Sequence, residues 1–132
     1  LLAEGDAESD KLYELRFYRA NPGKLEALHS RFRNHTLKLF EKHGMENIIY
    51  WDVIEGTKAD GENAQNMMIY VIAHKDEAAR EASWKAFMND PEWKAVYAES
   101  EKDGAILAEA PKAILMKNVP FSAKDDVFAP AA

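Results

Sequence analysis

The sequence predicts an α+β domain with the element order strand, helix, strand, strand, helix, strand, the ferredoxin-like split βαβ arrangement around a four-stranded antiparallel sheet. Three observations carry this. Residues 12–19, Leu-Tyr-Glu-Leu-Arg-Phe-Tyr-Arg, alternate with a period of two. A long stretch after Pro22-Gly23 repeats apolar residues at spacings of three and four. Two runs rich in β-branched and aromatic residues, 47–55 and 66–74, flank a loop built from Gly, Asp and Asn.

Each element can be justified in turn. In the first strand Tyr13, Leu15 and Phe17 share one face, while Leu12, Glu14, Arg16 and Tyr18 share the other, more polar one. Asn21-Pro-Gly-Lys24 then opens a helix to about His43, with Leu25, Leu28, Phe32, Thr36 and Leu39 as its stripe and Gly44 as its stop. Asn47–Glu55 and Asn66–His74 are expected to form a hairpin across Gly56-Thr-Lys-Ala-Asp-Gly-Glu-Asn63. Asp76 supplies an N-cap for the next helix. Asp90-Pro91-Glu92 restarts it with a cap, a proline at the first helical position and a carboxylate near the positive helix end. Gly104 stops that second segment, and Lys112–Val119 is the last strand.

Length and composition limit what such a domain can do. The 132 residues, 47% hydrophobic and 30% charged, suit one soluble domain burying about two thirds of its unfolded surface. Residues 1–10 are expected to be a flexible segment, 11–119 the folded domain and 120–132 a tail without periodicity. The chain opens on Leu1-Leu-Ala3 before the acidic Glu4–Asp10, as it would after loss of a presequence or a trim, so export is compatible with it and the compartment is left open. A net charge of −6, with Lys and Arg interspersed among Asp and Glu, argues against a nucleic-acid partner and a basic membrane helix. No apolar run approaches the roughly 20 residues needed to span a bilayer.

Most chemical motifs are missing. With no cysteine there is no thiolate nucleophile, disulfide or Cys-ligated metal. Nucleotide-binding glycine motifs, GxSxG and HExxH are all absent. His29, His35 and His43 stand six and eight residues apart, so no two share the four-residue step of a helical metal pair, and no metal site is assigned. Glu26-Ala-Leu-His29 has the spacing found in di-iron bundles, but one copy does not make such a site. Asn34-His-Thr36 matches a glycosylation acceptor but lies mid-helix, and His74 is read as capping the end of its strand. Trp84 with Phe87, and Trp93 with Val96 and Tyr97, read as packing. Trp51 alternates with Ile49 and Val53, and Tyr50 with Ile48 and Asp52, so strand register decides which set lines an interior.

Four strands with helices on one side leave the other side bare. A bare face carrying Leu12, Tyr18 and their neighbours exposes more apolar surface than monomers usually do, which predicts that a second copy covers it.

Two blocks, Lys11-Leu-Tyr-Glu-Leu-Arg-Phe-Tyr-Arg19 and Ala82-Ser-Trp-Lys-Ala-Phe-Met-Asn-Asp-Pro-Glu-Trp93, resemble the NIPSNAP domain over roughly residues 12–118. The resemblance implies pairing of two such sheets into a dimeric α/β barrel. In that barrel the face of Glu14, Arg16 and Tyr18 is expected to be interior. It would hold either a structural ion pair at the dimer seam or an arginine anchoring an anionic ligand, with Tyr18 donating and Glu14 orienting. The family pattern also has a histidine in a run like His35-Thr-Leu-Lys38, where Lys38 stands at its proline, and an aromatic after Tyr50, here Trp51. His35 is therefore expected at a pocket mouth and Trp51 in a pocket wall. The ligand-pocket candidates are thus Glu14, Arg16, Tyr18, His35 and Trp51, with no catalytic residue and no cofactor assigned. The resemblance implies a homodimer of undefined activity that binds a small anionic or apolar ligand, or another protein, through the barrel interior. The other class, a cofactor-independent monooxygenase or haem-handling enzyme on the same barrel, would employ His35 and Trp51 over a polycyclic substrate or porphyrin.

Overall fold

The computed structural model of the chain describes residues 11–56 and 65–121. The expected N-terminal segment 1–10, most of the hairpin loop (57–64) and the tail from 122 lie outside the described residues. Four strands, β1 (Leu12–Arg19), β2 (Glu46–Asp52), β3 (Met67–His74) and β4 (Lys112–Lys117), form one sheet in the order β2-β3-β1-β4, every neighbour antiparallel. The fold is the expected ferredoxin-like α+β arrangement. In register, Leu15 stands opposite Val71 and Ile114, and Arg16 opposite Tyr70 and Ala113. A bulge between Asn47 and Ile49 shifts the β2–β3 pairing.

The first helix is not uniform. It comprises α1 (Leu25–Arg31), a π-helical stretch (Phe32–Thr36) and α2 (Leu37–Lys42). The Thr36 hydroxyl donates to the Arg31 carbonyl at 3.3 Å, a bond spanning five residues that occupies the carbonyl at the wide turn. Gly44, at φ +86°, reverses the chain after α2, a conformation that costs a side-chain-bearing residue about 1–2 kcal/mol. The second helical region is α3 (Glu77–Asn89) and α4 (Pro91–Ser100). Its caps are as expected: Asp76 accepts from the Ala79 N–H at 2.8 Å, and Asp90 from the Glu92 N–H at 2.7 Å with Pro91 in the first turn. The other Asp90 oxygen takes Lys42 Nζ at 2.8 Å and His43 Nε2 at 2.7 Å, tying the end of α2 to the start of α4.

The helices bury one sheet face. Leu28, Phe32, Leu39, Phe40, Phe87 and Trp93 from the helices pack on Tyr18, Met68, Tyr70 and Ile72 from the strands. Phe32 sits at the centre, its ring edge-on to Tyr18 (5.6 Å between centroids) and Tyr70 (5.3 Å), contacts worth about 0.5–1.5 kcal/mol each beyond area burial.

One expectation is corrected. Glu14, Arg16 and Tyr18 do not lie on the bare face: they point under the helices, and Glu14 is 0% exposed. The bare face carries Tyr13, Leu15 and Phe17 instead, beside Ile69, Val71, Ile49, Trp51 and Ile114. Burying Glu14 and Arg16 is tolerable because each is the other's counter-charge, Glu14 accepts five hydrogen bonds and every Arg16 nitrogen donates one. A single residue of phase in β1 decides which set is covered, since successive side chains alternate faces.

Candidate functional site

A cavity of about 510 Å³ opens between the sheet and the helices. β1 contributes Arg16 and Tyr18 to its lining; the first helix contributes Arg31, Phe32, Thr36 and Phe40; α3 and α4 contribute Trp84, Phe87, Trp93, Lys94 and Tyr97. The π-helical stretch brings Phe32 and Thr36, its first and last residues, onto the same wall. Among the described residues the charged members of the lining are Arg16, Arg31 and Lys94, and none is acidic.

Beneath this lining the Glu14 carboxylate accepts from four side chains. Trp84 Nε1 (3.0 Å), His74 Nε2 (2.8 Å) and Arg80 Nε (2.9 Å) reach one oxygen; Arg16 Nη1 (2.8 Å) and Arg80 Nη2 (3.2 Å) reach the other. Burial pushes the Glu14 carboxyl up, but the hydrogen bonds from His74, Arg80 and Trp84 and the charge of Arg16 outweigh it, holding the group well below the usual carboxylate range. Glu14 is therefore ionised at neutral pH. It fixes Arg16, whose guanidinium stacks 4.3 Å from the centre of the Trp84 ring. His74, expected to cap its strand end, is instead a wholly buried partner of Glu14, its Nδ1 without a hydrogen bond.

The hydroxyls on this network have a defined direction. Arg16 Nε donates to Tyr70 Oη at 3.1 Å, and Arg16 Nη2 to Tyr18 Oη at 3.2 Å. Tyr70 is fully buried, and burial raises its pKa well above the ordinary phenol range, so it keeps its proton. Its acceptor is Tyr18 Oη, 2.9 Å away. Tyr18 Oη thus accepts from Arg16 and Tyr70 together, and its own proton is left for the cavity that it lines.

Arg31 enters the site from the first helix with its side chain only 3% exposed. Its Nη1 donates to Ser100 Oγ (3.1 Å) and Glu101 Oε2 (3.3 Å), and its guanidinium lies 5.4 Å from the Trp93 ring centre and 5.5 Å from that of Tyr97. Nε is buried without a hydrogen-bond partner.

The structure brings together three of the five sequence-predicted candidates. Arg16 and Tyr18 line the cavity and Glu14 holds them from behind. His35 is exposed on the outer side of the first helix, lining a separate groove of about 450 Å³ with Asn34, Arg31 and residues of α4. Trp51 is 44% exposed on the bare sheet face, opposite Ile69, while Tyr50 turns inward and stacks on Tyr70 at 4.6 Å. Sequence reasoning missed Arg31, Arg80 and the role of His74. Arg31 had one available signal: it follows the stripe residue Leu28 by three, where a charge interrupts an apolar face. Trp84 and Trp93 do make the packing contacts expected of them, with Phe87 (5.6 Å) and Tyr97 (5.8 Å), and line the cavity as well. Among the described residues no His, Asp or Glu cluster is arranged to hold a metal, and no helix is long and apolar enough to cross a membrane.

Comparison with known proteins agrees with this architecture. No curated protein matches the chain. A NIPSNAP family protein of unknown function from Agrobacterium tumefaciens superposes with a TM-score of 0.71 at 21% identity, over 87% of this chain and 94% of that one. A NIPSNAP-like domain protein from Burkholderia xenovorans gives 0.71 at 15% identity, over 86% and 90%. A Streptomyces coelicolor monooxygenase, solved with the ligand Nanaomycin D, gives 0.56 at 14% identity, over 88% and 94%. At these identities the likeness is one of fold. The NIPSNAP profile itself matches residues 13–123, nearly the whole described domain, and the chain therefore belongs to the NIPSNAP family.

Proposed function

We propose that the protein is a homodimer in which each subunit binds a small, mainly apolar ligand bearing an oxygen-rich end in the cavity between sheet and helices. The observation that carries the reading is the lining of that cavity. Phe32, Phe40, Trp84, Phe87, Trp93 and Tyr97 supply flat apolar walls, and among the described residues every charged one in the lining is cationic although the chain as a whole carries −6. A volume of about 510 Å³ lies within the range of ligand pockets, roughly 300–1,000 Å³. Native mass spectrometry of the purified protein tests the reading, the expected result being two chains with a discrete small adduct that is lost on denaturation. A bare monomer that takes up no added aromatic ligand would overturn it.

A second reading, cofactor-independent oxygenation of a polycyclic substrate, has a specific observation in its favour. The Tyr18 hydroxyl presents a free proton to an aromatic cavity beside a guanidinium, a place where a phenol or carbonyl oxygen of a substrate is held and polarised. The Streptomyces coelicolor neighbour of like fold is a monooxygenase. Dioxygen uptake on addition of a polycyclic hydroquinone, lost in Tyr18→Phe, is the expected result on this reading, and no uptake by the native protein rejects it. Haem handling finds less support, because no histidine is among the described residues that line the cavity.

A further inference from the structure

The two arginines of the cavity are not equivalent, and the difference bears on what the pocket takes. Every nitrogen of Arg16 is engaged. Its Nη1 is held by Glu14 at 2.8 Å, and the edge formed by Nε and Nη2 is spent on Tyr70 and Tyr18. Arg31 is held by Nη1 alone, at 3.1 and 3.3 Å, longer than the about 2.7–2.9 Å usual for charge-assisted bonds. The Glu101 oxygen that it faces is also shared with the Ile106 N–H at 3.1 Å. On the opposite edge, Nε is buried with no partner, and none of the Arg31 hydrogen bonds uses Nη2. A guanidinium offers that edge as a pair of parallel N–H donors, the geometry that matches the two oxygens of a carboxylate. A buried donor left unmade is costly, so a ligand that satisfies it gains what the empty protein forgoes.

We propose that Arg31 is the anion anchor of the cavity and that the ligand is a flat aromatic carboxylate. Its carboxylate is bound along the Nε–Nη2 edge of Arg31, and its ring system lies against Trp93, Tyr97 and Phe32. The guanidinium turns to present this edge, which its long Nη1 contacts permit. Arg16 and Tyr18 then serve a second, neutral oxygen of the ligand, through the Tyr18 proton. This inference rests on the cavity reading given above, and it gives the anionic end of the ligand to Arg31 and not to Arg16, for which the sequence leaves a structural ion pair and an anion anchor both open.

The test is isothermal titration of the full chain with 2-naphthoate and with 2-naphthamide, which differ in charge and hardly in shape. The native protein is expected to bind naphthoate about ten- to hundredfold more tightly than naphthamide, the amount that a charge-assisted hydrogen-bond pair provides. In Arg31→Met that preference is expected to vanish, both probes binding as naphthamide does, with the circular dichroism spectrum intact. Arg31→Lys keeps the charge without the fork; it is expected to retain the fold and only a few-fold preference, and it carries the test should the Met variant fail to fold. Equal binding of both probes to the native protein, or a preference that survives in Arg31→Lys undiminished and disappears in Arg16→Lys, overturns the Arg31 assignment while leaving the cavity reading intact. Binding of neither probe overturns both.

Discussion

Glu14 sets the geometry of the site, because its five hydrogen bonds immobilise Arg16, Arg80, His74 and Trp84 around one carboxylate. Replacing it by Gln keeps the shape but removes the counter-charge of a buried guanidinium and turns an amide N–H₂ toward donors. Glu14→Gln is expected to destabilise the fold by about 3–5 kcal/mol, measured by urea denaturation at neutral pH. The same residue predicts a pH dependence. A carboxyl whose folded pKa is depressed contributes stability that is fully present above its unfolded value, here near 4.5, and that is lost as pH falls toward the folded one. Native stability should therefore decline as pH drops below about 4.5, and Glu14→Gln should decline less steeply. Equal slopes in the two proteins would show that Glu14 is not the titrating group. The sequence made Glu14, Arg16 and Tyr18 legible as a group, since a spacing of two puts them on one face. It did not reveal which face the helices cover. The donors that make burial tolerable, His74, Arg80 and Trp84, come from β3 and α3, 60 to 70 positions along the chain.

Among the elements, the first helix carries the least expected feature, a π-helical stretch at the place where the helix meets the cavity. A wide turn accommodates one residue more than the α-helical path needs, while the flanking segments α1 and α2 keep their apolar faces on the sheet. Its position shapes the cavity: Phe32 and Thr36 both face it, and Arg31, also in its lining, directly precedes Phe32. Removing one exposed residue from the stretch should let a continuous α-helix form. Deletion of Asn34, whose side chain only reaches Ser30 at 3.1 Å, is expected to preserve the fold by circular dichroism and to shift its melting temperature little. It should nevertheless reduce 2-naphthoate binding by at least about tenfold, because Phe32, Thr36 and Arg31 lose their common wall. Unchanged affinity in a folded deletion variant would mean that the wide turn does not shape the site. The stripe of Leu25, Leu28, Phe32, Thr36 and Leu39 correctly announced a helix and its buried side. It was silent on the π turn, since steps of three and four over fifteen residues fit both a regular helix and one that pauses once. His35 was lost for the same reason: on the widened turn it points outward, into the groove beside α4.

For the molecule as a whole, the unresolved demand is the outer face of the sheet. Register aligns Ile49, Val71, Leu15 and Ile114 in one row across all four strands, with Trp51, Ile69 and Phe17 in the next. Ile49, Trp51 and Ile114 are each more than two-fifths exposed, so the row is a contiguous apolar surface and not a scatter of single residues. A second copy of this chain is the occupant proposed for it, and two-fold pairing would bring the row of one subunit against its own counterpart. Sequence reasoning expected a covered bare face and a second copy, but named Leu12 and Tyr18 as its residues; the argument from exposed area survives the exchange of faces because the face left bare, with Tyr13, Leu15 and Phe17, is the more apolar of the two. Light scattering on the native protein is expected to give the mass of two chains. Leu15→Glu places a charge at the middle of the row, and since a buried unpaired carboxylate costs several kcal/mol, that variant is expected to be monomeric. The cavity lies on the opposite side of the sheet, so the monomeric variant should still bind 2-naphthoate. A native monomer would remove the dimer from the proposal, whereas a Leu15→Glu monomer that has lost the ligand would show that the two faces of the sheet act as one unit.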